Sequence, residues 1–198
     1  MKLLNTLSNG EVITLLRKGG VGVIPTDTVY GLVCSAADQD AVNRLYALKS
    51  RESKPGTIIA ASAEQLVKLG IKARYLKAVE QFWPNLISII IPTGRDLEYL
   101  HLGKQSLAVR IPKNQEILRL LKTTGPLLTT SANLPGQPEA TDIKQARGYF
   151  GDKVDFYVDG GDLSDRKPST IIRIVDDAIE VLRAGAVKID ENGRIYDV

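Results

Sequence analysis

The sequence has almost none of the residues that most covalent and metal chemistry requires: Cys34 is its one cysteine and His101 its one histidine in 198 residues. An intrachain disulfide is therefore excluded, and neither a Cys/His zinc cluster nor a two-histidine metal site can be assembled. A serine or cysteine triad would have to draw on His101 alone, on a stretch read as irregular, and no GxSxG elbow is present. Also missing are a GxxxxGK[ST] phosphate loop and a GxGxxG turn after a strand; the Gly19-Gly20-Val21-Gly22 run precedes its strand. No apolar run approaches the ~20 residues that span a bilayer. The N-terminal MKLLNTLSNGEV lacks the apolar core and small-residue cleavage site of a secretory signal. The expectation is a soluble, cytoplasmic protein with no membrane partner.

What is present is ordinary globular composition, 43% hydrophobic and 25% charged, without repeats or low-complexity linkers. The length favours a single domain over residues 1–198. Net charge is +3, from 26 Lys and Arg against 23 Asp and Glu, and the basic residues are scattered. That balance suits a phosphate-bearing ligand or weak nucleic-acid contact, and plain enzymes equally. A carboxylate-bound magnesium ion stays open.

Local signals order the chain. Ser8 or Asn9 can cap a helix through Val12, Ile13, Leu15 and Leu16, which Gly19-Gly20 ends. VGVIP reads as a buried strand, and a second apolar run follows PTDTVYGL. A helix from Asp38 carries Val42, Leu45 and Tyr46 on one face, continued by Lys49 at its last turn. TIIAA (57–61) is strand-like, Ser62 can cap a helix to Leu69, and residues 73–83 read as one helix stopped by Pro84. LISIIIP, SLAVRIP and PLLTTSA read as strands, with QEILRLLK after Asn114 a helix between the last two. Strand alternation puts Ser106 and Arg110 on one face, and likewise Thr129 and Ser131. A helix near residues 142–150 precedes the strands VDFYVDGG, STIIRIV and IEVLRAG. Helices and strands alternate early and strands dominate late, which gives α/β with a mixed sheet.

Three clusters could carry chemistry. Lys49, Arg51 and Lys54 in KSRESKP could converge on phosphate oxygens, or simply cap a helix end in solvent. In TTSAN, Ser131 and Asn133 offer a hydroxyl and an amide at a strand end, or a turn held by its own side chains. PTDTVYGL follows a buried strand, where open α/β sheets place ligand contacts; alternatively it is a Thr-based turn with Asp27 solvated and Tyr30 packed. Arg110 is the sharpest single residue, because a guanidinium on an apolar strand needs an anion or an acceptor set. An internal carboxylate would serve as well.

Taken in order, PTDTVYGL, KSR, WP before an apolar strand, SLAVRIP, TTSAN, DGG, PST and VLRAGAV resemble the YrdC/TsaC family of threonylcarbamoyl-AMP synthases, over roughly residues 10 to 187. The resemblance implies an open twisted α/β sheet with flanking helices around a large basic cavity. It implies an enzyme that joins L-threonine, bicarbonate or CO2, and ATP with its Mg2+, releasing diphosphate. It places Lys49 and Arg51 on ATP phosphates, as the catalytic pair, with Ser53, Ser106, Ser131, Asn133 and Arg183 also on the ATP side. Thr26, Arg110, Thr129 and Ser169 match positions that hold threonine, and Lys54 and Tyr30 are further candidates. The implied partner is a tRNA threonylcarbamoyl-transferase, with tRNA or other RNA contact as a possible addition. KSRESKP is one residue shorter than the family's K-x-R-x-x-x-K-P, Trp83-Pro84-Asn85-Leu86 replaces WPGP, and Leu182-Arg183-Ala184-Gly185 replaces LRPG. A paralogue that has lost the reaction and an RNA-binding module are the alternatives.

Overall fold

Caps and alternation set the elements of the computed structural model, which describes residues 1–50, 54–176 and 178–196. A short strand β1 (Lys2–Leu4) leads to helix α1 (Gly10–Arg17), where the Asn9 side chain accepts the Glu11 amide. β2 (Gly22–Pro25) and β3 (Tyr30–Ser35) follow, then α2 (Gln39–Leu48), capped by Asp38. After β4 (Thr57–Ile59) come α3 (Ala63–Leu69) and α4 (Ala73–Lys77). Ser62 occupies the N-cap of α3 without a side-chain bond to its amides.

The single helix expected over 73–83 is two pieces, α4 and a 3-10 turn at Glu80–Phe82. Leu76, Val79 and Phe82 are its buried residues, and a three-residue spacing matches the tighter 3-10 winding better than 3.6. β5 (Ile87–Pro92) is followed by a 3-10 turn (Arg95–Leu97) and α5 (Glu98–His101). His101 thus lies in a helix rather than an irregular stretch. Its Nδ1 accepts the Gln105 amide at 3.2 Å while Nε2 faces the Gly94 carbonyl, so the ring is a brace. β6 (Ser106–Arg110), α6 (Gln115–Thr124), β7 (Leu127–Ser131) and α7 (Ile143–Phe150) come next. The chain ends with β8 (Phe156–Val158), β9 (Thr170–Val175), β10 (Ala178–Arg183) and the small hairpin β11 (Lys188–Ile189) and β12 (Ile195–Tyr196).

The main sheet has ten strands in the order β1-β8-β2-β3-β7-β4-β6-β5-β9-β10, and its ends do not meet. Parallel pairs (β1 with β8, β4 with β6, β5 with β9) mix with antiparallel ones (β2 with β3, β3 with β7, β5 with β6). This is the open, mixed α/β sheet expected. Among the described residues no helix is long and apolar enough to cross a membrane.

Alternation gives the two faces different fates. Leu32, Ile58, Leu128, Val109 and Ile89 join the larger core with Val42 and Leu45 of α2, Leu66 of α3, Leu100 of α5 and Phe150 of α7. On the other face, α1 and α6 cover only the end marked by Ile24, Val33, Ile59 and Leu127. The remainder of that face is open and carries the candidate site.

Candidate active site

A cavity of about 420 Å³ opens where α1 and α6 stop covering the sheet. Its floor is one cross-strand row: Thr129 of β7 pairs with Thr57 of β4, Thr57 with Ala108 of β6, and Ala108 with Ile90 of β5. Gly31 of β3 stands opposite Ser131. Because side chains in a strand alternate, Ser106, Ala108 and Arg110 all face this floor, as do Thr129 and Ser131. The wall adds Thr26 to Tyr30 but for Asp27, then Pro55, Gly56, Pro168 and Ser169. Lys104, Arg173 and Arg183 bring positive charge to the lining, and Glu139 is the carboxylate among its described residues.

Two glycines make room for Thr129. A Cβ on Gly31 would lie 2.6 Å from the Thr129 hydroxyl and 3.0 Å from Cγ2 of Thr26, and a Cβ on Gly56 would lie 2.7 Å from the Thr129 carbonyl. Gly31 thus lets β3 approach the Thr129 hydroxyl, and Gly56 lets the chain entering β4 approach the Thr129 backbone.

Arg110 is 3% exposed, and its Nη2 lies 3.0 Å from Oδ1 of Asp27, whose side chain is also buried. Burial lowers the guanidinium's pKa, and the Asp27 charge opposes that shift. Of the two partners left open for Arg110, the internal carboxylate is present. It does not saturate the cation: Nε has no hydrogen-bond partner among the described residues, and Asp27 Oδ1 makes no well-aligned hydrogen bond. Asp27 is therefore a buried counter-ion rather than the solvated residue of the alternative turn reading.

The Thr26 hydroxyl donates to the Val29 carbonyl at 2.6 Å and accepts the Thr28 amide at 3.1 Å, and its carbonyl accepts from Arg166 at 3.0 Å. Thr26 so shapes the turn at the cavity wall. The Tyr30 ring is buried, and its hydroxyl donates to the Gly161 carbonyl and accepts the Gly160 amide, both at 2.8 Å. Tyr30 is packed, and its hydroxyl locks the Asp-Gly-Gly turn against β3. Ser169 shares a 2.9 Å bond with the buried Ser88 hydroxyl, and Arg183 donates to the Ser169 carbonyl at 2.7 and 3.0 Å and to its hydroxyl at 3.0 Å. Arg183 and Ser169, assigned by resemblance to the two different substrates, are in direct contact.

Lys49, expected on ATP phosphates, is held at the turn after β7. It is 3% exposed, and Nζ donates to the Ser131 carbonyl at 2.9 Å, to Oδ1 of Asn133 at 2.7 Å and to the Asn133 carbonyl. α2 ends against a turn whose acceptors converge on this one ammonium. Ser131 donates to Asn133 Oδ1 at 2.8 Å and Asn133 Nδ2 donates to the Gln137 carbonyl at 2.7 Å, so the turn is held by its own side chains. Ser131 still lines the cavity; Lys49 and Asn133 stand behind it. Lys54 is exposed and does not line the cavity. Arg51 and Ser53 lie outside the described residues.

Sequence reasoning missed Gly31, Gly56, Thr57, Lys104, Glu139 and Arg173 as lining residues, and Asp27 as the partner of Arg110. Thr57 carried a readable signal, its place in a strand-like run; Lys104 and Arg173 did not stand out from other surface cations. Among the described residues no group of three or more His, Cys, Asp or Glu side chains is placed to hold a metal ion.

Comparison with known proteins gives a consistent set. A model for Sua5, YciO and YrdC proteins, described as "Telomere recombination", matches residues 14–185. The chain is 33% identical over 194 residues to a putative threonylcarbamoyl-AMP synthase of Mycobacterium leprae, covering 95% of this chain and 87% of that protein. It is 37% identical over 166 residues to the threonylcarbamoyl-AMP synthase of Pseudoalteromonas translucida, covering 80% and 89%. The structure matches P. abyssi Sua5 complexed with L-threonine with a TM-score of 0.84 at 27% identity, over 96% of this chain. It spans 59% of that Sua5 chain.

Proposed function

The chain belongs to the Sua5/YciO/YrdC family, and we propose that it is a threonylcarbamoyl-AMP synthase, working on L-threonine, bicarbonate or CO2, and MgATP. The observation that carries this reading is Arg110, a buried cation that lines the cavity floor and whose charge Asp27 engages at one Nη2–Oδ1 contact. A guanidinium facing the cavity suits the carboxylate of an amino acid, and Thr129 and Ser169 line the same cavity.

In the reaction the threonine amine and CO2 form a carbamate, and water is lost when bicarbonate is the source. A carbamate oxygen then attacks the α-phosphorus of ATP; a new P–O bond forms and the bond to the β-phosphate breaks, releasing diphosphate. Two anions must meet. The positive charge of Lys104, Arg183 and Arg51 would offset their repulsion, and most of the rate gain would come from positioning and electrostatics. Lys49 acts as a positioning residue, since it holds the Ser131–Asn133 turn. Magnesium enters with ATP as substrate, and no protein nucleophile is needed.

The product is a mixed anhydride and must pass to a transferase; we infer one that modifies tRNA adenosine, with both steps in the cytoplasm. Purified protein with MgATP and bicarbonate should release diphosphate when L-threonine is added, and far less with L-valine or no amino acid. Release that ignores threonine, or no release from folded protein that binds ATP, would overturn the reading. RNA affinity with a steep salt dependence and no diphosphate would replace it with the RNA-binding alternative.

A further inference from the structure

The turn between β2 and β3 carries a carboxylate that the synthase chemistry does not use. Asp27 is fixed from two sides: Oδ1 lies 3.0 Å from Nη2 of Arg110, and Oδ2 accepts the Lys113 amide just beyond β6 at 3.2 Å. An ion pair built for strength would use the guanidinium fork, with two parallel bonds to two oxygens. Here Oδ1 makes no aligned hydrogen bond, and Nε of Arg110 has no acceptor among the described residues. Asp27 therefore supplies a buried counter-charge through a single contact at Nη2 rather than through the full fork. Arg110 lines the cavity and Asp27 does not.

We propose that Asp27 is a specificity-determining residue that holds the amino-acid end of the cavity near zero net charge, so that Arg110 accepts a singly charged carboxylate and rejects phosphate dianions and polyphosphates. The inference rests on the assignment of Arg110 to the threonine carboxylate. A bound carboxylate leaves the Asp27–Arg110 spot with one net negative charge, whereas a phosphate dianion leaves two. In a region with side chains only 3% and 5% exposed, that second charge is poorly screened. The other cations lining the cavity, Lys104, Arg173 and Arg183, are exposed. The Arg173 counter-ion, Glu180, is itself on the surface, with the pair about half exposed. Solvent can compensate a triphosphate there. A single cavity so sorts two anions by whether the counter-charge is buried.

The test is calorimetric titration of inorganic phosphate and of L-threonine into wild type, Asp27→Asn and Asp27→Glu. At about pH 8, where phosphate is mostly dianionic, phosphate should bind Asp27→Asn about tenfold more tightly than wild type and displace L-threonine. Asp27→Glu keeps the charge and should keep the exclusion. Phosphate binding unchanged in Asp27→Asn, or raised equally in Asp27→Glu, would overturn the proposal. If Asp27→Asn does not fold, wild type decides: phosphate should compete with L-threonine clearly at about pH 6, as the monoanion, and about fivefold more weakly at about pH 8. Equal competition at both values would overturn it. These titrations do not require turnover, so an absence of threonine-dependent diphosphate release would defeat the functional reading without deciding the sorting.

Discussion

The two faces of the main sheet are built by the same strands and serve opposite purposes. Ile58 and Leu128 point into a core sealed by helices, while their chain neighbours Thr57 and Thr129 point into a cavity. One residue of strand register therefore separates a side chain that matters by volume from one that matters by chemistry. The difference arises because α1 and α6 stop over Val33, Ile59 and Leu127. Beyond them, Thr57, Thr129, Ser131, Gly31 and the Arg110 guanidinium line the cavity, whereas their strand neighbours Leu32, Ile58, Val109 and Leu128 join the core.

Arg110→Ala should cut both ways across this division, with the largest effect. Steady-state kinetics should show kcat/KM for threonine down about a hundredfold or more, the scale of losing one partner of a buried charge pair, with KM for ATP little changed. Equal losses for both substrates would argue against the carboxylate role. Denaturant unfolding should also show a loss of about 3–5 kcal/mol, because Asp27 is left buried and unpaired.

Ile58→Ala sharpens the contrast. It should cost about 2–5 kcal/mol in urea unfolding, while the folded fraction keeps its substrate constants. Its neighbour Thr57→Val should behave in reverse, with stability nearly unchanged and substrate constants altered. If both variants moved stability alone, the division of faces would fail.

Gly31→Ala should come next, since its Cβ would meet the Thr129 hydroxyl at 2.6 Å. A stability loss of about 1–3 kcal/mol with a raised KM for threonine is expected, and an unchanged KM would detach Thr129 from the amino acid.

The smallest effects belong to the sealed face. Burial pushes the Tyr157 hydroxyl up to about 12, from about 10 in an unfolded chain. The folded state then holds its proton more tightly, so this stabilisation is complete below about pH 10 and is lost as pH rises toward about 12. The melting temperature should fall by several degrees over that window, less so in Tyr157→Phe. Burial likewise pushes the Cys34 thiol up, and a thiol reagent at pH 8 should label it only at the rate of unfolding.

Much of this was legible in the sequence, and the parts that were not share a cause. Alternation in SLAVRIP and PLLTTSA gave the face of Ser106, Arg110, Thr129 and Ser131, because strand geometry is local. Asp38, Asn9 and Asn114 announced helix starts for the same reason. The Asp27–Arg110 pair joins residues far apart in the chain, and no local pattern in PTDT marks its carboxylate as buried. Lys49 was placed on the right helix face, but the acceptors that hold it come from the turn after β7. β1, α5 and the β11–β12 hairpin are too short to leave a periodic signal.

The most direct measurement is to supply labelled bicarbonate with MgATP and L-threonine and follow the label. Labelled carbon should appear in a single product that contains both threonine and AMP, in step with diphosphate, and should be nearly lost in Arg110→Ala while Ile58→Ala retains it. Label that never enters an adenylate, or enters without threonine, would contradict the assignment of this cavity to threonylcarbamoyl-AMP synthesis.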